Sequence, residues 1–321
     1  MLLTSYFLAA LAIALAWPTP LALAKAKWPA RSPVAAVLLW QAIALAGGLS
    51  MIGSMLVWGL TPLGDDLLSA LHQGWRLLLG DPDAPSPGVV HLFALSAALL
   101  FATHLVLTLL RAAWRISRQR AKHRQLLMLL TNPAEDRPNT LVLDHDVPVA
   151  YCVPGMTRSV TVLSRGLLDQ LSETELQAVL AHERSHLEQR HDLLILAFTA
   201  WHEALPWLPT SRLALDAVRQ LTEMLADDTA LQKVQRPVLL RAIVTVASSV
   251  APNPIHDPAQ QGGSGGDLET VPNGELSSGR LQRLLNDPNP LSVFQTTAIV
   301  FCSLMLLVCP TVLLIAPKLL G

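Results

Sequence analysis

The residues best placed to do chemistry lie in the stretch ELQAVLAHERSHLEQRHD, where His182, Glu183 and His186 form the pattern HExxH. On a helix, residues four apart share one face, so both imidazoles can reach a single metal ion while Glu183 sits beside the open coordination position. Zinc accepts neutral imidazole nitrogen at about 2.0–2.1 Å, and a catalytic site keeps three protein ligands with water in the fourth place. Glu183 is then the general base. A carboxylate-bearing segment, RQLTEMLADD, follows at 219–228. Glu223 would supply the third ligand, completing the two-histidine, one-glutamate set used by one class of zinc peptidases, with one Zn²⁺ per chain. Asp227, one turn later on the same face, could accept the outer N–H of a ligating histidine and fix its orientation.

The neighbouring polar residues carry weaker signals. His191 and Asp192 fall off the ligand face, which leaves them a structural role or an outer contact to the site. His202 with Glu203 is a possible second metal pair, but the first set already supplies enough ligands. His202 therefore reads as a core residue or as a group that assists the transition state, and Arg219 is the other candidate for that task. Taken separately, two histidines can be surface residues and Glu223 with Asp227 a solvated acidic face. Their joint spacing makes the metal site the better reading.

The elements that must position these groups follow from local signals. Ser172 and Glu175 form a capping box, and Leu176, Val179, Leu180, Ser185 and Leu187 fit a largely apolar helix that starts near Glu173 and runs through the motif. A second helix is predicted over 211–234, and a third over 237–250 begins at Pro237, a favoured first helical position. Upstream, LVLDHDVPVAYCVPG and SVTVLS are short Val- and Thr-rich runs broken by Pro and Gly, which predict a small sheet. Residues 251–279 are crowded with Pro, Gly and Ser and read as a flexible linker.

The remainder of the chain is apolar. Of 321 residues, 51% are hydrophobic and only 15% charged, and the mean hydropathy is +0.41, an excess that requires a membrane. Net charge is −1, so no global field points to nucleic acid. Cys152, Cys302 and Cys309 form no CxxC pair and support neither a disulfide framework nor a thiolate zinc site. Four runs are long enough to span a bilayer: about 2–24, 34–60, 89–110 and 293–316. The first could be a signal peptide, but it lacks a basic n-region and is interrupted by Trp17, Pro18 and Pro20, so it reads as an anchor. The stretch 193–208 carries His202 and Glu203 and is short for a span; it reads as a buried or membrane-resting helix.

Orientation comes from the short flanks. Lys25, Lys27 and Arg31 follow the first span, and Arg111, Arg115, Arg118, Arg120, Lys122 and Arg124 form a basic collar after the third. Residues 61–88 hold four aspartates and one arginine, and read as an outer loop. These flanks put the N-terminus outside and the catalytic domain in the cytoplasm of a multi-pass plasma-membrane protein. The expected organisation is a three-helix membrane domain over 1–111, a zinc peptidase domain over 112–250, a linker with a short helix over 251–292, and the fourth span.

With these residues in view, the chain resembles the membrane zinc metallopeptidases of the BlaR/MecR type. The resemblance rests on the spans, the basic collar, the stretch SVTVLSRGLLDQLSETELQAVLAHERSHLEQRHDLL, the ExxAD segment from Glu223 to Asp227 and the final span. It implies a mainly α membrane protein with a gluzincin-type α+β domain. In it, His182, His186 and Glu223 are zinc ligands and Glu183 is the catalytic base. It also implies a regulatory protease that inactivates a cytoplasmic, BlaI/MecI-like transcriptional repressor, with the lipid bilayer as its other partner and a homodimer as a further expectation. The sequence contains no SxxK motif and ends at Gly321, so the extracellular penicillin-binding sensor domain of those sensors is not expected. The rival readings are a quality-control membrane protease of HtpX type and a zinc-dependent receptor without catalysis.

Overall fold

The structure, a computed structural model, describes residues 1–64, 66–83, 85–133, 140–153, 160–250, 278–286 and 289–315. It is mainly helical with one small sheet, and its contacts divide it into two compact units. Three helices, α5 (Val89–Leu130), α8 (His191–Ala204) and α9 (Pro209–Ala230), contribute residues to both.

One unit comprises Met1–Trp114, Leu194–Leu221 and Asn289–Gly321. It contains the four helical stretches long and apolar enough to cross a membrane: Leu2–Lys25, Pro33–Leu60, Val89–Lys122 and Val293–Ile315. These are the helices of a multi-pass membrane protein. The first stretch is broken into α1 (Leu2–Ala16) and α2 (Pro18–Lys25), because Pro18 has no N–H to continue the ladder and instead opens a new helix. The second and fourth are single helices, α3 (Pro33–Leu60) and α12 (Val293–Ile315). Leu8, Val57 and Leu313 form a buried cluster that joins α1, α3 and α12. Gly53 lets Leu314 lie where a Cβ would stand, the close approach that small residues permit between apolar helices. Facing outward, Phe93 and Phe294 are 74% and 83% exposed, apolar surface that lipid covers and water would not.

The short helix α4 (Leu67–Leu78) sits between α3 and α5 and is capped by Asp66 and Ser69. At 14 residues α8 is too short to span. Its C-terminal part rests on the apolar helices: Trp201 packs against Gly48, and the Ala204 carbonyl meets His104 Nε2 at 3.0 Å.

The second unit comprises Arg115–Leu193 and Thr222–Pro288. Its strands are β1 (Thr131–Pro133), β2 (Thr140–Leu143), β3 (Ala150–Val153) and β4 (Val160–Ser164), in the order β1-β2-β4-β3. β2 and β4 run parallel, and the outer pairs are antiparallel. The runs read from sequence as β-rich become β2, β3 and β4. β1, with the sequence TNP, carries no strand signal and forms at the edge, where a proline is tolerated.

From β4 the chain turns directly into α6 (Arg165–Gln170), capped by Ser164. Gly166 is required there, because a Cβ would collide with the carbonyl of Asp146. The motif helix α7 (Glu173–Glu188) starts at the expected capping box, with Glu175 Oε2 accepting from the Ser172 N–H at 3.0 Å. Leu176 and Val179 of α7 join Leu163, Leu167 and Leu239 in the core, the last from α10 (Arg236–Val250). Leu284, 2% exposed, belongs to the same core and comes from α11 (Ser278–Leu285).

The linker expected over 251–279 falls outside the described residues up to 277, and its last two residues are already helical. Residues 194–221 fall in the unit of apolar helices, and α11 shares the core of the second unit through Leu284.

Candidate metal centre

Two adjacent turns of α7 present His182 and His186 on one face, and α9 presents Glu223 toward them. The two Nε2 atoms are 3.3 Å apart. Glu223 Oε2 lies 3.4 Å from His182 Nε2, and Oε1 lies 3.5 Å from His186 Nε2. Ligands about 2.05 Å from a tetrahedral zinc sit about 3.3 Å from one another, so the two imidazole nitrogens, each with one Glu223 oxygen beside it, stand close to the spacing a zinc ion needs. The donor chemistry fits as well: two imidazoles and a carboxylate. The His186 and Glu223 side chains remain about a quarter exposed, at 24% and 25%, which leaves one side of the cluster open to a substrate.

Behind this face lies a buried charge cluster. Asp227, 1% exposed, stands one turn beyond Glu223, with Oδ1 3.0 Å from His182 Nδ1. The two meet as an ion pair rather than through a geometrically ideal hydrogen bond. Arg280 of α11, 2% exposed, closes on Asp227 with two 2.7 Å bonds and places Nη1 3.0 Å from Glu223 Oε2. A neighbouring pair repeats the theme: Arg283 holds Asp228 at 2.6 and 2.8 Å. Sequence reading missed Arg280. Its only local signal is the RLQR pattern that puts two arginines three apart on a short helix, next to a segment that reads as linker.

Proximity of these charges sets the protonation states. Burial disfavours the charged form of His182, but the Asp227 and Glu223 carboxylates outweigh it and raise the ring from 6.5 to about 9. Burial holds His186 down to about 4, leaving it neutral as a ligand must be. Burial also works against the Glu223 carboxylate, yet His182 and Arg280 bring it down to about 2. Burial pushes Glu183 up to about 7, with the Glu223 charge adding to the rise and His182 and Arg280 opposing it. A carboxyl balanced near neutrality is what general acid–base work requires.

The remaining candidates take other places. His191 is buried and meets His186, Nδ1 to Nδ1, at 3.0 Å, so it is an outer contact of the site. Asp192 instead pairs with Arg120 of the basic collar at 2.9 Å. His202 bonds Ser211 Oγ at 2.9 Å, and the exposed Arg219 lies with it in the unit of apolar helices.

A helix offering HExxH to a carboxylate on a second helix is the constellation of a zinc metallopeptidase. Residues 117–207 match the family model "Peptidase family M48". A stretch of 66 residues is 35% identical to "Protease HtpX homolog 2" of Methanosarcina mazei, covering 20% of this chain. The match spans about a fifth, 22%, of that relative's length. No solved structure gives a significant match. The family match includes His182, Glu183 and His186 and stops short of Glu223, whose place in the site rests on geometry.

Proposed function

We propose that this chain is a membrane-held zinc metalloendopeptidase that hydrolyses peptide bonds in a protein substrate on the cytoplasmic side of the plasma membrane. The observation that carries the proposal is the convergence of ligand atoms of His182, His186 and Glu223 within 4.8 Å of one another, the two histidines on the helix that also carries Glu183 and Glu223 on α9. Zinc bound there would polarise the scissile carbonyl and make its water a nucleophile near neutral pH. Glu183 would take a proton from the attacking water and pass it to the leaving amine. Asp227, fixed by Arg280, orients His182, and Glu223 closes the ligand set. The M48 and HtpX likenesses support this chemistry without identifying a substrate. A receptor whose zinc is purely structural is disfavoured, since such a site closes all four positions and has no use for Glu183.

The likeness to the BlaR/MecR type supports a regulatory role, cleavage of a small cytoplasmic transcriptional repressor. The HtpX likeness supports a second substrate class equally well, damaged or misassembled membrane protein. A Glu183→Gln chain, crosslinked in cells and purified, separates them by what it traps. A DNA-binding repressor enriched over wild type supports the first, and a broad set of membrane proteins supports the second. Zinc-loaded protein that traps and cleaves nothing would remove the enzyme reading.

A further inference from the structure

His186 meets a second imidazole, and the contacts beyond it run in one direction. Its Nδ1 lies 3.0 Å from His191 Nδ1, and two ring nitrogens so close need one hydrogen between them. If Nε2 of His186 faces the metal, as its place among the three donors requires, its hydrogen is on Nδ1 and points at His191. His191 then accepts at Nδ1 and carries its own hydrogen on Nε2, which lies 3.0 Å from Gln189 Oε1. The Gln189 amide in turn donates to Thr229 Oγ1 at 2.9 Å, and the Thr229 hydroxyl donates to the Leu225 carbonyl at 3.0 Å. Every link has one donor and one acceptor, and the last lies on α9, the helix that supplies Glu223.

We propose that His191 is a positioning residue for His186, locking its tautomer and ring plane through this relay; the proposal rests on the zinc-site reading above. The backbone is built for it. Between Gln189 and His191, Arg190 sits at φ 51°, the one non-glycine residue in the left-handed region among those described. That conformation disfavours a residue with a Cβ and is the usual place for glycine at a helix end. It turns the chain sharply enough that the first residue of α8 returns beneath the last ligand of α7. The two ligating histidines are therefore held differently: His182 by a carboxylate, Asp227, and His186 by an imidazole that is itself tied to α9.

The test compares zinc dissociation constants and cobalt(II) absorption spectra of the full chain with those of His191→Phe and His191→Asn. Phenylalanine fills the space without accepting a hydrogen bond, whereas the asparagine side-chain oxygen can accept from His186. Loss of such an outer partner weakens metal binding on the order of ten- to a hundred-fold. His191→Phe should show that loss with an altered cobalt spectrum, and His191→Asn should recover most of it. Equal affinity and spectrum for wild type and His191→Phe would overturn the relay, as would equal losses in both variants, which would mark His191 as packing alone. Wild-type chain that binds no zinc would overturn the metal site itself. Should the phenylalanine variant fail to fold, nitrogen-15 shifts of the zinc-loaded wild type decide: hydrogen on His191 Nε2 supports the relay, and hydrogen on its Nδ1 overturns it.

Discussion

His182 illustrates how the charges around a metal ligand decide when the metal can bind. Without metal its pKa is carried from 6.5 up to about 9 by Asp227 and Glu223. A raised histidine pKa stabilises the metal-free fold fully below about 6.5, and that contribution is lost as pH rises through about 9. Zinc competes for the same ring, so its affinity should climb with pH across that window. Calorimetry at pH 7.5 in buffers of different ionisation enthalpy, on the Glu183→Gln background, should report about one proton released per zinc. No dependence on buffer would contradict the assignment of His182 as a protonated ligand. The HExxH geometry was readable because it is local: a separation of four residues on one helix fixes the relation of the two imidazoles. The tautomer relay through His191 was not, because it depends on the turn at Arg190 and on Thr229 of another helix.

Among the elements, α11 is the one whose contacts the sequence left unread. It follows a Pro-, Gly- and Ser-rich segment and has only eight residues, too few to form an independently stable helix. Its stability comes from tertiary contacts: Leu284 in the core, Arg280 on Asp227 and Arg283 on Asp228. Removing Arg280 leaves the buried Asp227 without its principal counter-charge. Arg280→Met should therefore destabilise the catalytic unit by about 3–5 kcal/mol, the range for breaking one side of a buried ion pair. Thermal unfolding checks this, and an unchanged melting temperature would contradict the role given to α11. The pairing of Arg280 with Asp227 was invisible in the sequence because it crosses 53 positions, and no local period predicts a contact at that separation. By contrast, the start of α7 was legible to the residue, since Ser172 and Glu175 satisfy each other within one turn.

On the scale of the whole molecule, the four apolar helices were legible from composition alone, because a bilayer demands length and hydrophobicity and little else. The catalytic unit was only partly legible, since α9 starts among the apolar helices and ends with the ligand residues. Charge asymmetry predicts an outer loop at 61–88 and a cytoplasmic catalytic unit. A protease site inserted at 61–88 should be cut in intact cells, and one inserted within 251–277 only after permeabilisation. The reverse pattern would contradict the orientation and remove cytoplasmic substrates from consideration.

The central claim is tested most directly by measuring zinc content and peptide-bond cleavage side by side for the wild-type chain and Glu183→Gln. The account predicts about one zinc in each, with cleavage lower in the variant by a factor of about 10²–10⁴, the usual contribution of a general base. Equal cleavage by the two, or loss of zinc on replacing Glu183, would contradict it.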